Sequence, residues 1–333
     1  MKNTLPLKLR PALATLVNAP FDGDEWQFEI KWDGYRALAF IDGANSQLKS
    51  RNDKLFNEKF YPVYEAIKKW KIKAVIDGEI VMLNDKGLPT FGGLQNWRSQ
   101  ADGQLMYYVF DILWLNGKDV TALPLTQRRK LLQAKVPKGS PTIRLSEAID
   151  AKGKNFFEVA RKMGLEGIMA KRKDSPYAVN ERTNDWLKIK SNKRQEMVIG
   201  GYTLNHDTSK PFSSLLVGVY DKGKLIYTGK VGTGFSIDTQ KKMMKQFKPL
   251  IAKKVPFFEL PDINKPSRFR PNPPHATAVF LKPTLVCEVS YAELTSDGVM
   301  RHPSFEGMRI DKKASAVTLE KEAPVKKVTK VKR

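Results

Sequence analysis

Short runs of alternating apolar and polar residues recur along the first two-thirds of this 333-residue chain and constrain its fold more than any other feature. Gly, Asp or Asn bounds each run, which predicts β-strands rather than helices for WQFEIKW, YRALAFI, AVIDGEIVML, LMYYVFDILWL, GIMAKR and WLKIK. Helical spacing marks NEKFYPVYEAIKKW and LTQRRKLLQAKV, and FFEVARKMG ends at a glycine suited to a helix C-terminus. These patterns predict an α+β domain of antiparallel sheets and helices over residues 1–193.

The pattern changes near Gln195. The segments EMVIGGYTL, SLLVGVYD, KLIYTGKVG and LVCEVSYAEL predict short strands, and SIDTQKKMMKQFKPLIAKK predicts one helix. About five strands and a helix fit a small β-barrel of the oligonucleotide-binding (OB) kind. We therefore expect an OB-fold over residues 194–312, with a long loop at residues 256–274, which are rich in Pro, Arg and Phe.

The end of the chain has a different composition. Residues 313–333 contain seven basic and two acidic residues and no aromatic residue. This composition predicts a basic disordered tail, or a linker, that packs against no core.

The overall charge indicates the kind of partner. The chain carries 58 Lys and Arg residues against 35 Asp and Glu, which gives a formal net charge of +23. Such a charge repels itself in a compact protein unless a polyanion is bound, so we expect a nucleic-acid partner. A basic protein without a nucleic-acid partner is the alternative that charge alone leaves open.

Several classes of protein are excluded by composition. An apolar run of the ~20 residues that span a bilayer does not occur, and the first residues lack the pattern of a secretory signal. Cys287 is the sole cysteine, so an intramolecular disulfide and a zinc site with several cysteines are both excluded. We expect a cytoplasmic monomer with no membrane partner, and we expect Cys287 to be a small buried apolar residue.

The sharpest candidate for chemistry is KWDGYR at residues 31–36, which follows the predicted strand that contains Glu29. A lysine at the end of a strand projects from a rigid edge, and Lys31 becomes a nucleophile where its surroundings favour loss of its proton. Arg36 is suited to hold a phosphate through a bidentate fork. A hairpin with an incidental lysine is the alternative that this motif alone leaves open.

KWDGYR resembles the KxDGxR signature of the covalent nucleotidyltransferases, which comprise ATP-dependent DNA ligases, RNA ligases and mRNA capping enzymes. In that superfamily the lysine takes a nucleoside monophosphate as a phosphoramidate, which implies the catalytic role for Lys31. Five later segments resemble the further motifs of the superfamily in the right order: SRN at 50–52, DGE at 77–79, VFD at 109–111, EGIMAK at 166–171 and WLKIK at 186–190.

The resemblance implies a role for each matching residue. Glu79 and Glu166 are the expected metal-associated carboxylates, and the Phe110 ring is expected to stack on the purine. Glu29 would contact the adenine exocyclic amine, and Arg51 the nucleotide or the DNA 5′-phosphate. The complete set of expected nucleotide-binding residues is Glu29, Ile30, Arg36, Arg51, Glu79, Phe110, Lys188, Lys190, Arg309 and Lys312.

Two lysines of this set form a pattern of their own. Lys188 and Lys190 lie two residues apart on a predicted strand, so both side chains are expected on one face. Placing two cations together is costly unless an anion lies between them, and the α-phosphate of ATP is such an anion.

The segment RHPSFEGMRIDK at residues 301–312 resembles the last ligase motif, which lies on the OB-fold. By that resemblance, Arg309 and the pair Asp311 and Lys312 orient the β,γ-pyrophosphate, and they move away once the lysine carries AMP.

Residues 8–312 resemble the ligase domain of the bacterial ligase D family, which seals double-strand breaks with the Ku end-binding protein in non-homologous end joining. The resemblance implies ATP as the AMP donor, Mg²⁺ or Mn²⁺ as the metal, and nicked or broken duplex DNA as the substrate. Ku, and the polymerase and phosphoesterase domains of a longer ligase D, are the further expected partners. A capping-type guanylyltransferase, an RNA ligase and an inactive nucleic-acid-binding protein on the same fold are the alternatives.

Overall fold

The computed structural model describes the chain in five stretches, which are residues 4–149, 152–205, 208–264, 275–295 and 298–329. The chain forms two compact units. Unit 1 contains the residues up to Ser191 together with those from Lys321 onward, and unit 2 contains Asn192–Glu320. The chain therefore leaves unit 1 after Ser191 and returns to it at Lys321.

Unit 1 combines β-strands with short helices. Its strands in the described residues are β1 (Leu13–Leu16), β2 (Trp26–Ile30), β3 (Tyr35–Asp42), β4 (Gln47–Ser50), β5 (Lys73–Met82), β6 (Leu105–Leu115), β7 (Lys118–Asp119), β8 (Ile143–Leu145), β9 (Ala148–Ile149), β10 (Gly167–Arg172) and β11 (Arg182–Lys190). Its helices before Ser191 are α1 (Tyr61–Lys69), α2 (Phe91–Asn96), α3 (Leu125–Gln133) and α4 (Gly153–Lys162). The strands and helices predicted from alternation and spacing are confirmed.

Two sheets carry the strands of unit 1. One has the order β1-β11-β10-β2-β9, and the other has the order β4-β3-β5-β6-β7, with β8 beside β6. The predicted antiparallel pairing is confirmed for β10 with β2 and β11, and for β5 with β3 and β6. Two parallel pairs, β1 with β11 and β8 with β6, were not predicted. The alternation along a short strand defines its two faces but does not identify a distant neighbour.

The two sheets of unit 1 share an apolar core. Phe110 of β6 lies edge-on to Trp186 of β11 with 6.3 Å between ring centroids. Leu38 of β3 and Ala14 of β1 belong to the same buried cluster. One face of each sheet therefore points toward the other sheet, and the motif residues on those faces are brought toward one another.

Unit 2 is the small barrel that its strand pattern predicts. Its strands in the described residues are β12 (Arg194–Asn205), β13 (Ser214–Asp221), β14 (Lys224–Val231), β15 (Ala276–Ser290), β16 (Glu293–Leu294), β17 (Met300–Arg301) and β18 (Ser304–Met308), and its helix is α5 (Ile237–Phe247). The main sheet has the order β14-β13-β12-β15-β18. The backbone N–H of Phe305 in β18 donates to the carbonyl of Thr233, just after β14, at 3.0 Å, and this bond links the two ends of the sheet.

Helix α5 is shorter than its sequence pattern. The side chain of Ser236 caps its first turn and accepts a hydrogen bond from the Thr239 N–H at 3.1 Å. The helix ends at Phe247 and continues as a 3₁₀ turn, because Pro249 lacks an N–H and restricts the residue before it. The predicted loop at residues 256–274 is described as far as Asn264 and has no helix or strand there, and residues 265–274 lie outside the described residues.

Cys287 lies in β15 and is fully buried in the core of unit 2, as predicted. Burial raises the pKa of its thiol. The side chain therefore acts as a small apolar residue of the barrel.

The prediction of a tail that packs against no core is wrong for residues 314–329. Val317 is 1% exposed in the core of unit 2, and its carbonyl accepts a bond from the Tyr220 N–H at 2.7 Å. Further on, the Ala323 N–H donates to the Leu16 carbonyl at 2.9 Å, which adds the segment to the edge of β1. A few apolar residues of the segment are buried or partly buried against a core, and average composition does not reveal this.

The segment ends in a short helix, α6 (Val325–Val328), whose two valines pack against the core of unit 1. None of the helices in the described part of the chain, α6 included, has the length and apolar content that a membrane crossing requires.

Candidate active site

Lys31 directly follows β2 and is fixed to the next strand by its backbone. Its N–H donates to the Gly167 carbonyl of β10 at 3.0 Å, and its ammonium forms an ion pair with the carboxylate of Glu166. Gly167 has a φ of +145°, and a Cβ there would lie 2.0 Å from the Ile189 carbonyl oxygen, so a glycine is required. The predicted nucleophile and a predicted metal-associated carboxylate are therefore in direct contact.

The strands β2, β10 and β11 place further motif residues side by side. Met169 of β10 lies opposite Glu29 of β2 and Lys188 of β11, and residues directly opposite in a sheet share a face. Lys190, two residues after Lys188 on β11, lies opposite Gly167 of β10. The prediction that Lys188 and Lys190 share a face is confirmed, since the intervening Ile189 is buried on the other face.

The second sheet contributes Arg36 and Glu79, which lie directly opposite each other on β3 and β5. Its Nε and Nη2 donate to the two oxygens of Asp77 at 2.8 and 2.6 Å. The predicted contact of Arg36 with a phosphate stays a prediction, and it must be made beside this ion pair. Burial by itself lowers the pKa of Arg36, but the adjacent Asp77 carboxylate more than offsets this and raises the pKa above its ordinary value. The bidentate partner of Arg36 is thus supplied by the protein itself.

Tyr177 completes this ion pair. Its hydroxyl donates to Asp77 Oδ2 at 2.5 Å and accepts a bond from the Ala12 N–H at 3.0 Å. Burial and the charge of Asp77 raise the pKa of Tyr177 well above its ordinary value, so the hydroxyl remains a donor. Tyr177 and Asp77 were not predicted as site residues.

Phe110 lies at a bulge of β6, opposite the step between Asp77 and Gly78, and is 8% exposed. The guanidinium of Arg36 lies 5.1 Å from its ring centroid, and the ammonium of Lys171 lies 4.3 Å from it. The ring is thus flanked by two cations, and its predicted stacking on a purine stays a prediction.

Glu29 is 1% exposed and lies among donors. Its carboxylate accepts bonds from Arg129 at 2.9 Å, from Gln27 at 3.1 Å and from Lys171 at 2.9 Å. Burial lowers the pKa of Lys171, and the charge of Glu29 opposes that shift. The predicted contact of Glu29 with adenine stays a prediction, and it must be made within this network.

Two consecutive arginines of α3 were missed by sequence reasoning. Arg128 is fully buried and binds both oxygens of Asp111 at 2.8 and 2.9 Å, and Arg129 binds Glu29. The sequence did contain a signal for Arg128, because it shares the apolar helical spacing of Leu125 and Leu132. An arginine at such a position requires a buried anionic partner.

The remaining predicted residues lie elsewhere. Arg51 is partly exposed and directly follows Ser50, which pairs with Ala37 of β3. Within unit 2, Arg309 donates to the two oxygens of Asp311 at 3.0 and 2.9 Å. The predicted action of these residues on the nucleotide or on DNA stays a prediction.

Lys312 lies in unit 2 as well, where its ammonium is paired with Glu196 of β12. Ile30 ends β2 beside Ile168 of β10, one residue before the nucleophile. Both residues keep their predicted nucleotide-binding role as a prediction.

Comparison with known proteins identifies the family. The sequence profile of the ATP dependent DNA ligase domain matches residues 11–190, which is more than half of the chain. This chain belongs to the ATP-dependent DNA ligases. The profile of the ATP dependent DNA ligase C terminal region matches residues 208–312 of the same ligase, within unit 2.

The ligase is also similar to individual proteins. It is 34% identical to the multifunctional non-homologous end joining protein LigD of Pseudomonas aeruginosa over 97% of this chain and 38% of that protein. It is 34% identical to the LigD of Mycolicibacterium smegmatis over 96% of this chain and 41% of that protein. The ligase thus spans about two-fifths of the length of these two relatives.

Solved structures agree with this similarity. The ligase resembles mycobacterial DNA ligase D complexed with ATP and MES, with a TM-score of 0.68, 33% identity, and coverage of 95% of this chain and 99% of that one. It also resembles the ligase domain of Mycobacterium tuberculosis LigD, with a TM-score of 0.51, 34% identity, and coverage of 94% and 99%. These similarities confirm the predicted fold, a nucleotidyltransferase domain followed by an OB-fold.

Glu166 and Glu79 carry the oxygen ligands that a hard divalent cation prefers, and their expected role in binding the metal stays a prediction. Mg²⁺ is commonly held by one or two carboxylates with substrate phosphates and water completing its shell, so a dense protein cage is not required. Glu166 lies beside Lys31, and Glu79 lies opposite Arg36. In the described stretches, no group of three or more His, Cys, Asp or Glu residues is arranged to hold a metal. A cation bound by these two carboxylates therefore also needs the substrate phosphates as ligands.

Proposed function

We propose that this ligase forms a lysyl-AMP on Lys31 and uses it to seal nicks and broken ends in duplex DNA. The observation that carries the proposal is the contact between Lys31 and Glu166, at the edge of a sheet face that also carries Lys188 and Lys190. A nucleophilic amine, an adjacent carboxylate and two phosphate-binding cations are the groups that phosphoryl transfer from ATP requires.

The reaction has three steps. First, Lys31 Nζ attacks the α-phosphorus of ATP, loses a proton, and pyrophosphate leaves as the P–O bond to the β-phosphate breaks. Second, an oxygen of the DNA 5′-phosphate attacks the AMP phosphorus, and the P–N bond to Lys31 breaks as its nitrogen takes up a proton. Third, the DNA 3′-hydroxyl loses its proton and attacks the 5′-phosphate, which forms the phosphodiester and releases AMP.

The residues of the ligase act by holding charges in place. Glu166 fixes the Lys31 ammonium in the resting protein and is the nearest described carboxylate to it. Lys188 and Lys190 would bind the α-phosphate from one face and neutralise charge that develops on it. Glu79 and Glu166 would hold Mg²⁺ or Mn²⁺, which supplies charge neutralisation on the phosphates.

Charge and similarity support the proposed substrate and partners. A net charge of +23 suits a DNA backbone. Because the similar LigD proteins are named for non-homologous end joining, we assign the ligase to double-strand break repair in the bacterial cytoplasm. We further propose that it acts as a monomer, and with Ku and with polymerase and phosphoesterase domains where these are present.

Labelling with α-³²P nucleotides tests the proposal. Wild-type protein with Mg²⁺ is expected to become covalently labelled from ATP and not from GTP, and added nicked DNA is expected to discharge the label and become sealed. Lys162→Met, which changes an exposed lysine of α4, is expected to be labelled and to seal nicks as wild type does.

Other outcomes of the same experiment would contradict the proposal. Labelling from GTP alone would indicate a capping-type guanylyltransferase. Discharge by nicked RNA but not by nicked DNA would indicate an RNA ligase. A mobility shift of DNA without labelling, in protein freed of bound AMP beforehand, would indicate a binding protein without ligase activity.

A further inference from the structure

Lys31 lies in a segment where the chain crosses between the two sheets of unit 1. Residues 31–34 lead from β2 in one sheet to β3 in the other, and residues 146–147 lead back from β8 to β9. Because β9 pairs with β2, with Ala148 opposite Glu29, the two crossing segments lie beside each other. The proposed nucleophile therefore belongs to a short connection between sheets.

The two ends of this connection are fixed through the backbone. At its start, the Lys31 N–H donates to the Gly167 carbonyl of β10 at 3.0 Å. At its end, Gly34 packs so closely on β5 that a Cβ there would lie 2.1 Å from the Ile80 carbonyl oxygen. The middle of the connection is held by a side chain, that of Trp32.

The indole of Trp32 is fixed at two points. Its ring is stacked on the Tyr108 ring of β6, with 3.6 Å between ring centroids and 11° between the planes. Its N–H donates to the Ser146 hydroxyl at 3.0 Å. Ser146 is 1% exposed, and its own N–H donates to the Val109 carbonyl of β6 at 2.8 Å. The residue next to Lys31 is thus joined both to β6 and to the second crossing segment.

This anchoring affects the nucleophile through the backbone. An indole side chain has only two torsions, so a stack and a hydrogen bond together define the direction of Trp32 and of the peptide that joins it to Lys31. Attack requires the reacting atoms to lie about 3–3.5 Å apart and in line, and a misplacement of about 1 Å can cost a factor of about 100 in rate. A small rotation of this peptide is carried along the lysine side chain to Nζ.

We propose that Trp32 is a positioning residue for self-adenylation. Its stack on Tyr108 and its hydrogen bond to Ser146 hold the connection so that Lys31 Nζ is directed at the α-phosphorus. This inference rests on the proposed function, because it concerns the lysine that receives AMP. A residue that acts in this way affects the attack and not the binding of ATP, so its loss lowers the maximal rate and leaves the half-saturating ATP concentration unchanged.

The test is the single-turnover rate of self-adenylation, measured over a range of ATP concentrations. Trp32→Leu removes the stack and the hydrogen bond, and it is expected to lower the maximal rate by about tenfold or more. The half-saturating ATP concentration should change by less than about twofold. Trp32→Phe retains a ring that can stack and should recover part of the rate.

A double-mutant cycle tests the hydrogen bond separately. Trp32→Phe removes its donor and Ser146→Ala its acceptor, so each is expected to lower the maximal rate. Because both changes break the same bond, the double variant should be no slower than the slower single variant. These two conservative changes also test the inference where Trp32→Leu fails to fold.

Two controls separate positioning from general destabilisation. Trp70 is a buried indole in a different core of unit 1, and its N–H also donates one hydrogen bond, to the Lys135 carbonyl at 2.8 Å. Trp70→Phe should leave the maximal rate of self-adenylation unchanged. Sealing of a nick that already carries 5′-AMP does not use Lys31 as a nucleophile, so the Trp32 and Ser146 variants should seal it at close to the wild-type rate.

Distinct results would overturn the inference and the proposed function. A wild-type maximal rate in Trp32→Leu, or equal losses in self-adenylation and in sealing of the 5′-AMP nick, would refute positioning by Trp32 while the ligase function stands. A raised half-saturating ATP concentration with an unchanged maximal rate would show that Trp32 acts in nucleotide binding instead. Rate losses that multiply in the double variant would show that Trp32 and Ser146 act independently. A wild-type protein that is not labelled from ATP would refute the proposed function and the inference with it.

Discussion

The guanidinium of Arg36 on β3 and the carboxylate of Asp77 on β5 are joined by two hydrogen bonds, and the Tyr177 hydroxyl donates a third to the same carboxylate. Asp77 is fully buried, and Tyr177 is 4% exposed. A buried charge needs all its partners, because an uncompensated one is strongly destabilising. Asp77 and Tyr177 therefore position Arg36 and also contribute to the stability of unit 1.

Tyr177→Phe is expected to lower the free energy of unfolding by about 1.5–3 kcal/mol, since it removes a hydrogen bond to a charged group and the acceptor of the Ala12 N–H. Urea denaturation measures the difference. Tyr61→Phe, at a residue that is 40% exposed, is the control and should change the value by less than about 0.5 kcal/mol. Equal effects of the two changes would contradict the role of Tyr177.

The C-terminal segment is expected to stabilise unit 1. Replacing both Val325 and Val328 by Ala should lower the free energy of unfolding by about 1–3 kcal/mol, because both side chains pack against its core. Val159→Ala, at a residue of α4 that is 52% exposed, is the control. An unchanged denaturation midpoint in the double variant would show that the segment does not pack in solution.

Cys287 is expected to make the free energy of unfolding depend on pH at alkaline pH. Burial raises the pKa of the thiol in the folded protein above its ordinary value of 9.0, so above that pH the unfolded chain has lost a proton that the folded protein retains. The contribution of the thiol to stability should therefore be constant below pH 9.0 and fall by about 1.4 kcal/mol per pH unit above it.

The measurement is the difference in free energy of unfolding between wild type and Cys287→Ala, followed from pH 7 to pH 10. This difference removes the contributions of the other titrating groups. A difference that stays constant across this range would show that the thiol is accessible to solvent in the folded protein.

Binding to nicked duplex DNA is expected to weaken steeply with salt. The net charge of +23 implies many phosphate contacts, and each releases counterions, so log affinity should fall linearly with log salt with a slope of about −0.9 per phosphate. Fluorescence anisotropy of a labelled nicked duplex over a salt series measures the slope. A flat response would show that the charge does not serve DNA binding.

Much of this fold can be predicted from local patterns in the sequence. The alternation around Ile189 predicts that Lys188 and Lys190 share a face, and strand pairing bears this out. The helical spacing of α3 was equally clear, but the partner of Arg128, Asp111, lies on β6. A pattern within one element defines its faces, and it does not specify which element packs against a face.

Two further features cannot be predicted from local sequence pattern, for the same reason. The sequence around Arg36 does not reveal its bidentate partner Asp77, which only the pairing of β3 and β5 brings into reach. The average charge of the segment after residue 313 predicts a tail without a core, whereas Val317 and Val325 are held by individual contacts. Such contacts between distant parts of the chain become visible only in the folded structure.

The most direct test of the account is to locate the AMP on the protein. After incubation with ATP and Mg²⁺, proteolysis and tandem mass spectrometry at alkaline pH, where a phosphoramidate survives, should find AMP on the side chain of Lys31. Lys31→Ala should carry no AMP and should still seal a nick that already bears 5′-AMP. AMP on a different lysine, or undiminished adenylation of Lys31→Ala, would contradict the assignment of Lys31 as the nucleophile.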